Sequence, residues 1–249
     1  MPMFRRIALA VAAVPLVLVL AACGDKAEEG APTGEPIAPI AAPAGTRWVE
    51  TAAVTPEGGY RIGNPDAPLK LVEYASHTCH VCAEFSQKGA AGMDEYVATG
   101  VVSYEIRNLI RDSIDLTYAL LARCGTPQGF HPLANQGWQN FDALMNTVQS
   151  NDAALQQASL APEAQRFQAI GQASGLIDFF AARGISRDQA LQCLADTGKA
   201  QRIAEASQSQ ADDLQISGTP SFFINGRKVE PTSWAALEPL LQAAGARQP

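Results

Sequence analysis

The chain has 249 residues, 47% of them hydrophobic, with 18 Lys and Arg against 25 Asp and Glu, a formal charge of −7. That balance argues against nucleic acid or anionic lipid as the main partner. The length allows one large domain with its own core.

The chain opens with Arg5 and Arg6, a charge-free apolar run from Ile7 to Leu20, and then Leu20-Ala21-Ala22-Cys23. The run is short for a membrane span and reads as the core of an export signal over residues 1–22. Leu20 to Cys23 resembles the lipobox of bacterial lipoproteins. That resemblance implies Cys23 as the lipidated first residue of the mature chain, in an oxidising extracytoplasmic space. Residues 23–46 are rich in Ala, Pro, Gly and Glu and read as a flexible tether. A first strand is expected over Arg47–Thr55, then a turn at Gly63-Asn64-Pro65-Asp66-Ala67-Pro68, then a short buried strand from Leu69 to Ala75. Val81 to Ala98 follows as a helix weakened by Gly89 and Gly92, and Val101 to Ile106 as a strand. From Asp112 to about Leu214 the chain is Ala-, Gln- and Leu-rich. Helices are expected over 113–124, 135–148, 162–183 (interrupted at Gly175), 186–195 and 198–214. Strand character returns at Ser221–Ile224, with an Asn225-Gly226 hairpin turn and a return to Glu230. A last helix runs from Ser233 to Ala244, regular only after Pro239. The plan is α/β: residues 47–111 and 215–247 form one sheet-containing domain, interrupted by a helical domain at 112–214.

Cys79-His80-Val81-Cys82 stands where the Leu69–Ala75 strand hands over to its helix. Two thiols at this spacing can open and close a disulfide, the second resolving the mixed disulfide made by the first. A helix N-terminus stabilises a Cys79 thiolate, and a protonated His80 would add to this. Two other readings compete. A structural disulfide across so short a loop gains little. A Cu or Zn site could use His77, Cys79, His80 and Cys82, but no second ligand pair stands at motif spacing. Glu73 shares a strand face with Leu69, Leu71 and Ala75, so burial would suit it to move the proton of Cys82; a local twist would instead turn it to solvent. Pro220 leads directly into a strand. A cis Thr219–Pro220 bond would leave the Thr219 backbone free to pair with an extended peptide; a trans bond in a loop is the alternative. Cys124 and Cys193 are expected to pair as a structural disulfide, with a second exchange site as the alternative. His131 reads as an ordinary polar residue, and Trp48, Trp138 and Trp234 as packing residues.

The stretches Ile62–Pro68, Leu71-Val72-Glu73-Tyr74, Cys79–Cys82 and Gly218-Thr219-Pro220-Ser221-Phe222-Phe223-Ile224-Asn225-Gly226 together resemble the DsbA-like branch of the thioredoxin superfamily. The resemblance implies a thioredoxin fold with an inserted α-helical domain, and a thiol–disulfide oxidoreductase that needs no cofactor. It implies Cys79 as nucleophile, Cys82 as resolving thiol, Pro220 as the cis-proline and Glu73 as the buried acid, with Glu84 a weaker match to a second acid. Reduced exported proteins are the implied substrates of a lipid-anchored periplasmic monomer, reset by a quinone-linked membrane oxidase. The best-known oxidases of the family carry Pro-His or similar between their cysteines. Here the pair is His80-Val81, and it leaves open oxidation against reduction or isomerisation.

Overall fold

A computed structural model describes residue 30 and residues 32–247. The export signal and Cys23 lie outside the described residues. Six strands form one sheet: β1 (Ala52–Val54), β2 (Tyr60–Ile62), β3 (Leu69–Ala75), β4 (Val102–Asn108), β5 (Ser221–Ile224) and β6 (Arg227–Val229). Their order is β1-β2-β4-β3-β5-β6, and only β3 and β4 run parallel. A parallel pair needs a long crossover, which α1 (His80–Ala98) supplies. This β3–α1–β4 unit, with β5 antiparallel on the other side of β3, is the thioredoxin fold.

Between β4 and β5 stand eight helices: α2 (Ser113–Ala122), α3 (Pro127–Gln139), α4 (Phe141–Ser150), α5 (Asp152–Ser159), α6 (Glu163–Ala173), α7 (Leu176–Ala181), α8 (Arg187–Leu194) and α9 (Thr197–Asp213). Gly175, at φ +74°, separates α6 from α7 as its position in the pattern suggested. Cys124, just past α2, is bonded to Cys193 in α8, with 5.8 Å between Cα atoms.

Period-two alternation decides which residues of β3 meet α1. Leu69, Leu71, Glu73 and Ala75 are all buried, whereas Lys70 and Val72 on the other face are more open. Beneath them lie Cys82, Phe85, Met93 and Val97 of α1 and Val102, Tyr104 and Ile106 of β4, in one continuous core. Burying a Leu71-sized side chain contributes roughly 1.5–3 kcal/mol. On the outer side of α1, Gly89 and Gly92 do not break the helix, which runs unbroken through both. They make room for Trp234 of α10 (Trp234–Ala243): a Cβ would come within 2.8 Å of it at Gly89 and 2.7 Å at Gly92. Close packing therefore outweighs their low helix propensity.

Several expectations need correcting. Trp48–Glu50 is a 3-10 turn, so the first strand begins only at Ala52, and β2 was not anticipated. The helix expected at Asn135 starts at Pro127, α5 was missed, and α10 is helical across Pro239. The stretch expected to be a free tether is docked at Gly30, whose N–H donates to Lys228 O (2.9 Å), and again from Gly34 onward. Gly34 N–H donates to Ala243 O (2.9 Å), Ile37 N–H to Gly245 O (2.8 Å) and Ile40 N–H to Thr99 O (2.8 Å), while Trp48 Nε1–H also reaches Ile40 O at 2.7 Å. The carbonyls at the C-terminal ends of α1 and α10 have no partner within their helices, and this strap supplies one. Composition alone does not reveal such acceptors.

Candidate active site

Cys79 is the N-cap of α1, with extended backbone (φ −98°, ψ 117°) that turns its side chain back over the first helical turn. Its Sγ accepts the Cys82 N–H at 3.4 Å and lies 3.2 Å from the Thr219 carbonyl, to which the neutral thiol donates. The Thr219–Pro220 bond is cis. The loop before β5 is thereby set against the first turn of α1, and the two thiols are not bonded to each other.

The two sulfurs have opposite electrostatics. Cys79 is held down to about 5, chiefly by the Cys82 thiol, and further by the Thr219 side chain and the N–H groups of Cys82 and Val81, against the opposing effect of burial. Cys82 has no exposed surface. Burial pushes its thiol well up, and Cys79 and Glu73 push the same way. Glu73 is also wholly buried, and burial raises it to about 8, with Cys79 adding to the rise. The Tyr104 hydroxyl donates to Glu73 Oε2 and opposes that rise, while Oε1 has no hydrogen-bonding partner. Tyr104 lies on β4 opposite Leu71, one strand over from Glu73 on the same face. So the site holds one low-pKa sulfur, one wholly buried high-pKa sulfur and a neutral carboxyl beside the second. Such a set can cleave and re-form a disulfide while moving a single proton.

The loop leading to Cys79 is held by the inserted helices. His77 N–H donates to Asp115 Oδ1 (2.8 Å), Thr78 Oγ1–H to Asp112 Oδ2 (2.8 Å), and Trp138 Nε1–H to Ser76 O (3.1 Å). Arg111 N–H occupies the other Asp115 oxygen at 3.1 Å. The His77 ring stacks between Tyr118 (4.1 Å) and Trp138 (5.1 Å), and burial lowers its pKa, so it sits there as a neutral imidazole. His80 is exposed, edge-on to Phe141 at 5.8 Å, and is not among the groups that lower Cys79. The proposed four-ligand metal set is therefore not assembled, and among the described residues no three His, Cys, Asp or Glu side chains converge as metal ligands. Glu84 is exposed on α1. Asp112, Asp115 and Tyr104 were missed by sequence reasoning. A buried Asp in the otherwise apolar α2 was a usable signal for Asp115, whereas nothing in the pattern marked Tyr104. An open groove of about 500 Å³ runs past Cys79, His80, Val81, Leu109, Arg111 and Thr219.

Residues 55–243 match a family model described as Thioredoxin. The chain is 28% identical over 171 residues to a Rickettsia typhi protein provisionally named a protein-disulfide oxidoreductase; the match covers 68% of this chain and 55% of that protein. The chain thus spans about half the length of the curated relatives it matches. A crystal structure of a protein-disulfide isomerase from Novosphingobium aromaticivorans superposes with a TM-score of 0.71 at 31% identity, covering 76% of this chain and 98% of that one. The α-DsbA1 structure of Wolbachia pipientis shares the fold, with a TM-score of 0.58 at 20% identity over 74% of this chain and 90% of that one.

Proposed function

Because this chain belongs to the thioredoxin family, we propose that it is a DsbA-like, extracytoplasmic thiol–disulfide oxidoreductase that introduces disulfides into exported proteins through Cys79 and Cys82. The observation that carries this reading is the divergence of the two thiols, Cys79 held down to about 5 and Cys82 pushed up by burial. A substrate thiolate attacks Cys79 Sγ in the oxidised protein, and the Cys79–Cys82 bond breaks. Cys82 leaves and takes the Glu73 proton, because a bare thiolate at that depth is costly. The substrate's second thiolate then attacks its own sulfur in the mixed disulfide and releases Cys79 as a stable thiolate. Stabilising the reduced form in this way makes the disulfide a stronger oxidant. Thr219 and the groove beside Cys79 offer an extended substrate segment a place to lie.

The lipobox-like Leu20–Cys23 supports a lipid anchor in the periplasm, and the resemblance to the DsbA-like enzymes implies a monomer reset by a quinone-linked membrane oxidase. The 31% identity to the Novosphingobium protein-disulfide isomerase favours a second reading, in which the same residues reduce or reshuffle disulfides. The equilibrium potential of the Cys79–Cys82 pair separates the two: a value near −120 mV marks an oxidase, and one near about −270 mV a reductase. Cys79→Ala is expected to abolish exchange and Cys82→Ala to accumulate mixed disulfides with substrate. Equal activity in both variants would refute the assigned roles.

A further inference from the structure

His131, read from sequence as an ordinary polar residue, is 4% exposed on α3. Its Nε2 lies 2.8 Å from the Tyr60 carbonyl, which fixes the proton on that nitrogen. Nδ1 is thereby an acceptor, buried and without a partner in the protein. An unpaired buried acceptor is destabilising unless something satisfies it. The ring lines a cavity of about 10 Å³, enough for a single water. The other polar groups on its wall are Tyr104, Asp94 and the hydrogen-bonded pair Ser86 and Asn135. Tyr104 is the residue that donates to Glu73, and its ring meets His131 edge-on at 5.3 Å. Asp94 lies on an exposed turn of α1.

We propose that Tyr104, one water held by His131 in this cavity, and Asp94 form the path by which Glu73 exchanges its proton with solvent. This rests on the redox reading above and adds the route its proton takes. The need follows from burial: Glu73 has no exposed surface and its hydrogen bond is to Tyr104. The groups facing the path are Cys79, Cys82 and Asp94 from α1, Tyr104 from β4 and His131 from α3, while β5 contributes the apolar Phe222. His131 stays neutral, because burial lowers it to about 4, so it holds the water rather than carrying the proton.

The path is used when a mixed disulfide on Cys79 is resolved. Glu73, neutral at rest, first rotates and passes its proton to the Tyr104 oxygen, while the hydroxyl proton of Tyr104 moves to the water and leaves past Asp94. The Cys82 thiol then gives its proton to the ionised Glu73. The thiolate attacks Cys79 Sγ, the Cys79–Cys82 bond forms, and the partner leaves as its thiolate. Glu73 is thereby protonated again, as the oxidised protein requires when Cys82 next leaves.

The test uses the full chain carrying a Cys79–glutathione mixed disulfide and follows glutathione release from pH 5 to 9. The wild type is expected to inflect near 8, with Glu73. Tyr104→Phe removes the relay and a hydrogen bond to the carboxylate. It should slow release roughly 10-fold at pH 7, less than the ~10²–10⁴ of direct acid–base catalysis, and move the inflection to higher pH. Asp94→Asn should slow release with the inflection unmoved and the melting temperature unchanged. Its exposed position keeps the test valid even if Tyr104→Phe does not fold. Wild-type release rates in Asp94→Asn, or a Tyr104→Phe loss that is uniform across pH, would overturn the path. A wild-type protein that never resolves the mixed disulfide would instead overturn the redox reading.

Discussion

The depressed Cys79 thiol makes the stability of the reduced protein depend on pH in a direction that can be worked out. Its folded value is about 5 against an ordinary value of 9.0. A group lowered on folding adds stability that is full above the unfolded value and is lost as pH falls through the folded one. The contribution therefore declines from about pH 9 and is gone a little below pH 5. Between those limits it changes by about 1.4 kcal/mol per pH unit, which leaves roughly 2–3 kcal/mol at pH 7. The oxidised protein has no such thiolate. The same energy should make the Cys79–Cys82 disulfide about 60 mV more oxidising at pH 7 than a pair with ordinary thiols, at ~30 mV per 1.4 kcal/mol. The assay is urea unfolding of the reduced protein and of Cys79→Ala from pH 4 to 8, under mild reduction that leaves Cys124–Cys193 intact. The two stability curves should converge near pH 4 and separate as pH rises. Parallel curves would refute the reasoning, because they would mean Cys79 is not ionised in the fold at neutral pH.

Glu73→Gln should have the opposite sign on stability. A carboxyl raised to about 8 costs stability between pH 4.5 and 8, so its removal should stabilise the protein at pH 7 by up to about 3 kcal/mol while slowing exchange, as read by denaturation and peptide oxidation. Cys124→Ser opens a bridge across 69 residues and should cost about 4 kcal/mol by denaturant titration, with turnover little changed. Gly92→Ala drives a methyl group to 2.7 Å from the Trp234 ring and should destabilise by about 1–3 kcal/mol, detectable as a lower melting temperature.

Sequence patterning carried the β3–α1–β4 unit well, because alternation in Leu69–Ala75 and a cysteine pair at a strand-to-helix junction are local signals. The face on which Glu73 lies followed from the same alternation. What could not be read was whatever depends on long-range contact. Tyr104 is 31 residues from Glu73 and looks like any strand tyrosine until β3 and β4 are paired in register. Trp138 passed for a packing residue, yet its indole N–H holds the Ser76 carbonyl 62 residues away. In the sequence Gly89 and Gly92 look like flaws in a helix, because the ring that fills the space above them comes from Trp234, far along the chain. Short elements such as β2 and α5 carry too few residues for their period to register.

The docked strap gives the protein a polarity. It is bonded to Thr99, at the end of α1 opposite Cys79. A helix of 19 residues separates those two ends by about 28 Å. Gly30 N–H also donates to Lys228 O on β6 (2.9 Å), and only six residues lie between Cys23 and Gly30, a reach of at most about 25 Å when fully extended. A lipid at Cys23 would therefore keep the blunt pole of the domain toward the bilayer and present the reactive sulfur outward, toward chains that have already left the membrane surface. Lengthening the segment ahead of Gly30 would loosen that aim without touching the chemistry.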